Sequence, residues 1–243
     1  MAAGETAIRA VAPRSKRAFS VEDLAAMGLR SKVFFLLAAA ALTGGVAYSV
    51  VASFRRTHDP VRVVEATVGG AKFAFLSPFL RPASRQGGPT PALEAAVLFP
   101  SFAAAGDFGD VTAKTNLDRR LAETVVIVIK PPDSRLDPAD RMARLYERFL
   151  EEKSSNYPGG LVARAFSDDS PFGGDALYFV APEGREFAAR CLMPDPAART
   201  PNTCQAQMRM DDVDVEIRFS AALLSEWRRL RDGARGFVAT ARR

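Results

Sequence analysis

Apolar residues occur along this chain first as one unbroken run, then in strand-like alternation, and last at helical spacing. The run covers 33–54: 22 residues without a charge, with Arg30 and Lys32 before it and Arg55 and Arg56 after it. A helix rises about 1.5 Å per residue, so this stretch is long enough to cross a hydrocarbon core of roughly 30 Å. A transmembrane helix is expected there. Upstream, residues 1–19 are polar, basic and patternless, and no fixed structure is expected of them. Ser20 and Asp23 frame a start like a capping box, for a short helix carrying Leu24, Met27 and Leu29.

A linker (55–60) leads into the alternating part. Residues 61–68 and 71–76 read as a hairpin, with Gly69-Gly70 supplying the positive φ of a tight turn. Residues 77–92 hold four prolines and two glycines and read as loop, 93–99 as a strand, and 101–120 as loop. The run 124–130 (TVVIVIK) is apolar on both faces, which marks an interior strand. Pro131-Pro132 ends it, and Asp137-Pro138 opens an amphipathic helix with Met142, Leu145, Tyr146 and Phe149 on one stripe. Short strands follow at 161–166, 176–180, 185–191, 204–210 and 213–219. With Asp211-Asp212 as a two-residue turn, Met210 faces Val213, Met208 faces Val215, Ala206 faces Ile217, and Cys204 faces Phe219 on a buried side. Arg209 then meets Asp214, and Gln207 meets Glu216, on the other side. Ser220 caps a last helix whose apolar stripe is Leu223, Trp227, Leu230, Ala234 and Phe237, with Gly233 and Gly236 weakening its end. The expected fold class is α+β: a single transmembrane helix followed by a mostly antiparallel sheet domain (61–243) with two amphipathic helices.

Charge sharpens this division. Residues 1–56 carry eight Lys/Arg against three Asp/Glu, and 57–243 carry 25 against 25. The chain's net charge of +5 thus belongs to the segment around the apolar run, and its basic balance gives no sign of nucleic acid. Within about 20 residues of the span five bases precede it and four follow, too even a bias to orient it. Size decides: long domains translocate largely regardless of charge, whereas a short basic tail resists crossing. Residues 1–32 are therefore expected in the cytoplasm and 61–243 outside, which for a bacterial inner membrane means the periplasm. The competing readings are a cleaved signal peptide and a reversed anchor. Against cleavage stand the 32-residue basic leader, the length of the apolar run, and Arg55-Arg56 just past the cut site. Ala40 with Gly44 and Ala41 with Gly45 give the four-residue small-residue spacing through which membrane helices dimerise.

Cys191 and Cys204 are the only cysteines and flank a proline-rich loop. In an oxidising compartment such a pair reads as a structural disulfide. A zinc site would need four ligands, and the single histidine, His58, lies in the linker. That lone histidine also leaves little room for Ser-His-Asp or Cys-His catalysis. No Gly-x-Ser-x-Gly, Walker loop or dinucleotide fingerprint is present. Carboxylates remain: Asp168, Asp169 and Asp175 around the 170–174 loop could be calcium ligands, but ordinary turn chemistry explains them. Asp212, Asp214 and Glu216 share one strand face, where cross-strand pairing with Arg209 accounts for Asp214. No catalytic residue, metal or cofactor is expected. The sequence supports a membrane-anchored protein whose non-enzymatic periplasmic domain binds other membrane or periplasmic proteins or scaffolds an assembly. The alternative is a tethered hydrolase using carboxylates, which requires the acidic residues to converge in a pocket with raised pKa values.

Overall fold

Gly69 and Gly70 take φ values of +57° and +98°, and through them strand β1 (Val63–Val68) reverses into β2 (Ala71–Leu76). The register pairs Val68 with Ala71 and Val63 with Leu76, so Val64, Ala66, Phe73 and Phe75 fall on the buried side. In this computed structural model the described residues are 60–106, 114–193 and 203–243. The span expected over 33–54 and His58 lie outside them. Among the described residues no helix is long and apolar enough to cross a membrane.

A short β3 (Gly88–Pro89) runs parallel to β1 and completes a three-stranded sheet. The larger sheet has nine strands: β4 (Leu93–Leu98), β5 (Ala103–Ala104), β6 (Thr124–Lys130), β7 (Leu150–Tyr157), β8 (Leu161–Phe166), β9 (Asp175–Phe179), β10 (Ala188–Leu192), β11 (Thr203–Met210) and β12 (Val213–Ser220). They lie in the order β5-β4-β6-β12-β11-β10-β9-β8-β7, and every pair is antiparallel. The TVVIVIK strand is interior as its two-sided apolar character requires, hydrogen-bonded to β4 and β12. The β11–β12 register is the one that the pattern predicts, from Cys204 with Phe219 to Met210 with Val213. Asp211 adopts φ +54° at the turn, a conformation that Asp tolerates better than most residues.

Two expectations need correction, and one strand has no counterpart in the hydrophobic pattern. Helix α1 (Lys114–Glu123) begins within the segment expected as loop over 101–120. Its apolar content is sparse, so periodicity alone does not disclose it. The amphipathic helix expected after Asp137 is not α-helical. Asp137 does cap it, accepting from the Ala139 N–H at 2.9 Å, but residues 138–149 form successive 3-10, π and 3-10 turns. Segments this short are marginal as isolated α-helices, so packing sets their turns. Here Met142 and Tyr146 pack into a small cluster with Leu150, Phe166, Leu177 and Phe179. Strand β7 (LEEKSSNY) has no hydrophobic alternation because it is a wet edge strand paired only with β8. It is bulged between Leu150 and Ser154, a common way of blunting an exposed sheet edge.

The main core gathers Val125, Ile127, Ile129, Val215, Ile217 and Phe219 from the large sheet with Phe73 and Phe75 from the hairpin. Helix α2 (Trp227–Ala241) contributes Trp227, Leu230, Ala234 and Val238 to the same core. Ser220 caps a 3-10 turn (Ala221–Glu226) that precedes α2 rather than α2 itself. This turn sets the phase of the helix: Leu224, Val238 and Ala241 are buried, while Leu223 and Phe237 are only partly so. Trp227 is fully enclosed, stacks on Phe187 at 5.1 Å, and donates its indole N–H to the Gly159 carbonyl at 2.9 Å. The described domain is thus mostly antiparallel sheet with a few helices.

Candidate functional site

An apolar groove of about 390 Å³ lies between β2 and α2. One wall is Phe79, at the end of a 3-10 turn (Ser77–Phe79) pinned by Ser77, whose N–H donates to the Arg62 carbonyl at 2.8 Å. The floor is Phe75 and Phe237, whose ring centroids are 5.2 Å apart; Phe237 also meets Phe79 at 5.4 Å. The other wall is Phe102, in the turn joining β4 to β5. Its N–H donates to the Leu98 carbonyl at 2.7 Å, and its φ of +55° is strained for an aromatic residue. Gly233, Gly236 and Thr240 of α2 form the low side, and Ala74 and Leu76 line the β2 side. No lining residue carries a charge.

The two helix glycines play different parts. A β-carbon at 233 would overlap the Phe102 ring, so Gly233 is required by close packing. A β-carbon at 236 would meet nothing within 4 Å. Glycine inside a helix costs about 1 kcal/mol relative to alanine, and at 236 no internal contact offsets that loss. Beside the groove Leu76 is 45% exposed, with Val63 opposite it at 57% and Val61 at 67%. Exposed apolar surface joined to an open apolar cleft is the usual mark of an interaction site.

The carboxylates do not converge. Asp214 and Glu216 share one face of β12, as expected, but that face is buried rather than solvated, and each carboxylate is engaged by its own cations. Arg209 grips Asp214 through two nitrogens at 2.8 and 3.1 Å and reaches Asp137 at 3.2 Å. The Asp133 N–H donates to Asp214 at 2.8 Å. Glu216 is 3% exposed and accepts from Lys130 Nζ at 2.8 Å, Arg218 Nε at 2.6 Å and Gln207 Nε2 at 3.2 Å. Burial pushes the Glu216 pKa up, but the hydrogen bonds from Lys130 and Arg218 outweigh it and hold the carboxyl below its usual range. Asp212 sits in the β11–β12 turn and pairs with Arg242. Asp175 is raised by burial, opposed by Arg190 at 3.4 Å. Among the described residues no three His, Cys, Asp or Glu side chains gather as metal ligands, Asp168, Asp169 and Asp175 included.

Cys191 and Cys204 face each other across β10 and β11, 4.0 Å apart at Cα, and are joined by a disulfide. Both are buried in the main core. The bond closes the proline-rich connection between the two strands. A formed disulfide is consistent with a domain outside the cytoplasm.

No family model matches the chain, and no curated protein matches it. Solved structures do. An immunity protein of the Stenotrophomonas maltophilia type IV secretion system superposes with a TM-score of 0.53 at 15% identity, over 74% of this chain and 93% of that one. The likeness is one of fold. The iron-regulated outer membrane lipoprotein FrpD of Neisseria meningitidis aligns over 73% of this chain and 93% of its own, at 13% identity and a TM-score of 0.39.

The groove was not legible in the sequence. Phe75 and Phe237 fall on core-facing positions of their elements by periodicity, and Gly236 reads as a helix weakener. One signal was available: two glycines three apart within an otherwise well-patterned helix.

Proposed function

We propose that this chain is a single-pass inner-membrane protein whose periplasmic C-terminal domain binds another protein through the groove between β2 and α2, without catalysing a reaction. The observation that carries the reading is a groove walled and floored by four phenylalanines and left open at Gly236. Support for the anchor is the uncharged run over 33–54 between basic flanks. Support for the periplasmic side is the buried disulfide. The protein of like fold is by name an immunity protein of a secretion system, and a role in protein recognition in the cell envelope agrees with that. A carboxylate hydrolase is disfavoured because Asp214 and Glu216 are tied up by Arg209, Lys130 and Arg218, and Glu216 is held ionised rather than poised as an acid.

The test places a photo-crosslinking residue at Thr240, on the groove, and at Glu152, on the remote β7 edge, in the full-length chain in native membranes. A discrete protein adduct from position 240 and none from 152 is expected. Equal labelling from both positions, or none from 240, would overturn the reading.

A further inference from the structure

We propose that the segment received by the groove is acidic: a stretch of protein with two or three large apolar side chains flanked by Asp or Glu. This rests on the groove being a protein-binding site, and it adds the chemistry of the partner. The stretches that build the groove, 60–106 and 227–243, hold ten Lys/Arg against three Asp/Glu, whereas 107–226 holds 15 against 21. The neutrality of the domain is therefore a balance between a basic and an acidic part of the chain, which meet in the ion pairs of Arg229 with Glu226, Arg231 with Glu186, and Arg242 with Asp211 and Asp212.

Cations stand at both ends of the groove. At one end the Arg229 guanidinium lies 5.6 Å over the Phe99 ring, which packs edge-on against Phe102 at 6.3 Å. Arg229 reaches Glu226 only at 3.4 Å, in an exposed pair of the kind worth about 0–1 kcal/mol, so it stays available to a partner. At the other end Lys72 shares the outward face of β2 with Ala74 and Leu76 of the groove lining, and the acid on that face is Glu65 of β1, opposite Ala74. Its carbonyl accepts from the Arg243 N–H at 3.0 Å, which brings a second basic residue to the same end. An apolar trough with guanidinium and ammonium groups at its ends favours apolar anchors bracketed by carboxylates, by charge-assisted hydrogen bonding and by electrostatic complementarity.

The same cations would attract an anionic lipid surface, but the shape favours a peptide. Membrane-binding faces present protruding apolar side chains. Here the cleft itself is recessed between Phe79 and Phe102 and receives side chains, and the exposed Val61, Val63 and Leu76 stand only along its β1–β2 side. Gly236 marks where a partner's backbone or side chain approaches α2, as the absence of a β-carbon allows.

The experiment uses the full-length chain in phosphatidylcholine nanodiscs and three probes. They are a synthetic peptide with Leu at every third or fourth position and Glu elsewhere, its counterpart with Lys for Glu, and phosphatidylglycerol vesicles. The Glu peptide should bind at least about tenfold tighter than the Lys peptide at low salt, with the gap closing as ionic strength rises. Gly236→Leu should abolish that binding, and Arg229→Gln with Lys72→Gln should narrow the gap without shifting the melt. Equal binding of both peptides, lost in Gly236→Leu, would overturn the acidic partner and leave the groove reading standing. No binding of either peptide that responds to Gly236→Leu would overturn both. Binding of vesicles alone, lost in the same variant, would assign the groove to a lipid surface and overturn the proposal.

Discussion

The ring of Phe102 occupies the space where a β-carbon on residue 233 would lie, so any residue but glycine there must displace that ring. Gly236, one turn face away, has no such neighbour. Helix propensity alone gives alanine about 1 kcal/mol over glycine at either position. Gly236→Ala should therefore raise the melting temperature by about 2–4 °C for a domain of this size. Gly233→Ala must displace Phe102, at an overpacking cost of about 1–3 kcal/mol, and should lower it. Thermal melts of the two variants side by side check this; the same sign for both would contradict the packing described.

The Cys191–Cys204 bond should matter for stability rather than for chemistry, since both residues are buried core positions on adjacent strands. The two are 13 residues apart, and closing a loop of about that size contributes about 3 kcal/mol in the chain-entropy model. Cys204→Ser, or reductant, should lower the melting temperature while membrane association is kept. An unchanged melt would show that the bond is absent in the protein as made, and would weaken the periplasmic assignment.

How far the sequence discloses this structure depends on whether a segment carries an apolar pattern of its own. The β11–β12 register follows residue by residue, because Cys204, Ala206, Met208 and Met210 all have apolar partners on one face. The β6 strand follows from its two-sided apolar run, and the β1–β2 turn from Gly69-Gly70. Strand β7 and helix α1 are missed because neither carries much apolar periodicity; one is a polar edge, the other a largely polar helix. The 138–149 segment has the apolar residues of a helix, but packing on Phe166 and Phe172 fixes its actual turns. The groove is a tertiary object: its walls come from β2, the 77–79 turn, the β4–β5 turn and α2, and no local pattern announces that they meet. The charge-balanced composition likewise conceals the separation of its basic and acidic parts.

Glu216 gives a pH dependence with a definite sign. Its folded pKa lies below the ordinary value of 4.5, despite burial, because Lys130 and Arg218 hydrogen-bond its ionised form. A depressed carboxylate contributes stability that is fully present above its unfolded pKa and is lost as pH falls through the folded one. Glu216→Gln should thus be less stable than the parent at pH 7, by about 1–3 kcal/mol for lost charged hydrogen bonds. The difference should shrink as the pH is taken below about 4. Chemical denaturation of both proteins across pH 3–7 measures it; a constant difference would contradict the assigned ion pairs.

The anchor is tested independently of the groove. The chain should stay in the membrane pellet after carbonate washing, and a reporter fused after Arg243 should be active only outside the cytoplasm. A soluble product beginning near Ser53 would replace the anchor with a cleaved signal. A reporter active in the cytoplasm would reverse the orientation.

The most direct measurement of the central claim is made on Gly236→Leu in the full-length chain, reading the melting temperature and the crosslink from Thr240 together. A leucine there removes a helix-interior glycine and projects into the open side of the groove. The account predicts an equal or higher melting temperature together with loss of the adduct, because the fold is kept and the docking space is filled. A leucine variant that crosslinks as well as the parent, or one that melts markedly lower, would contradict it.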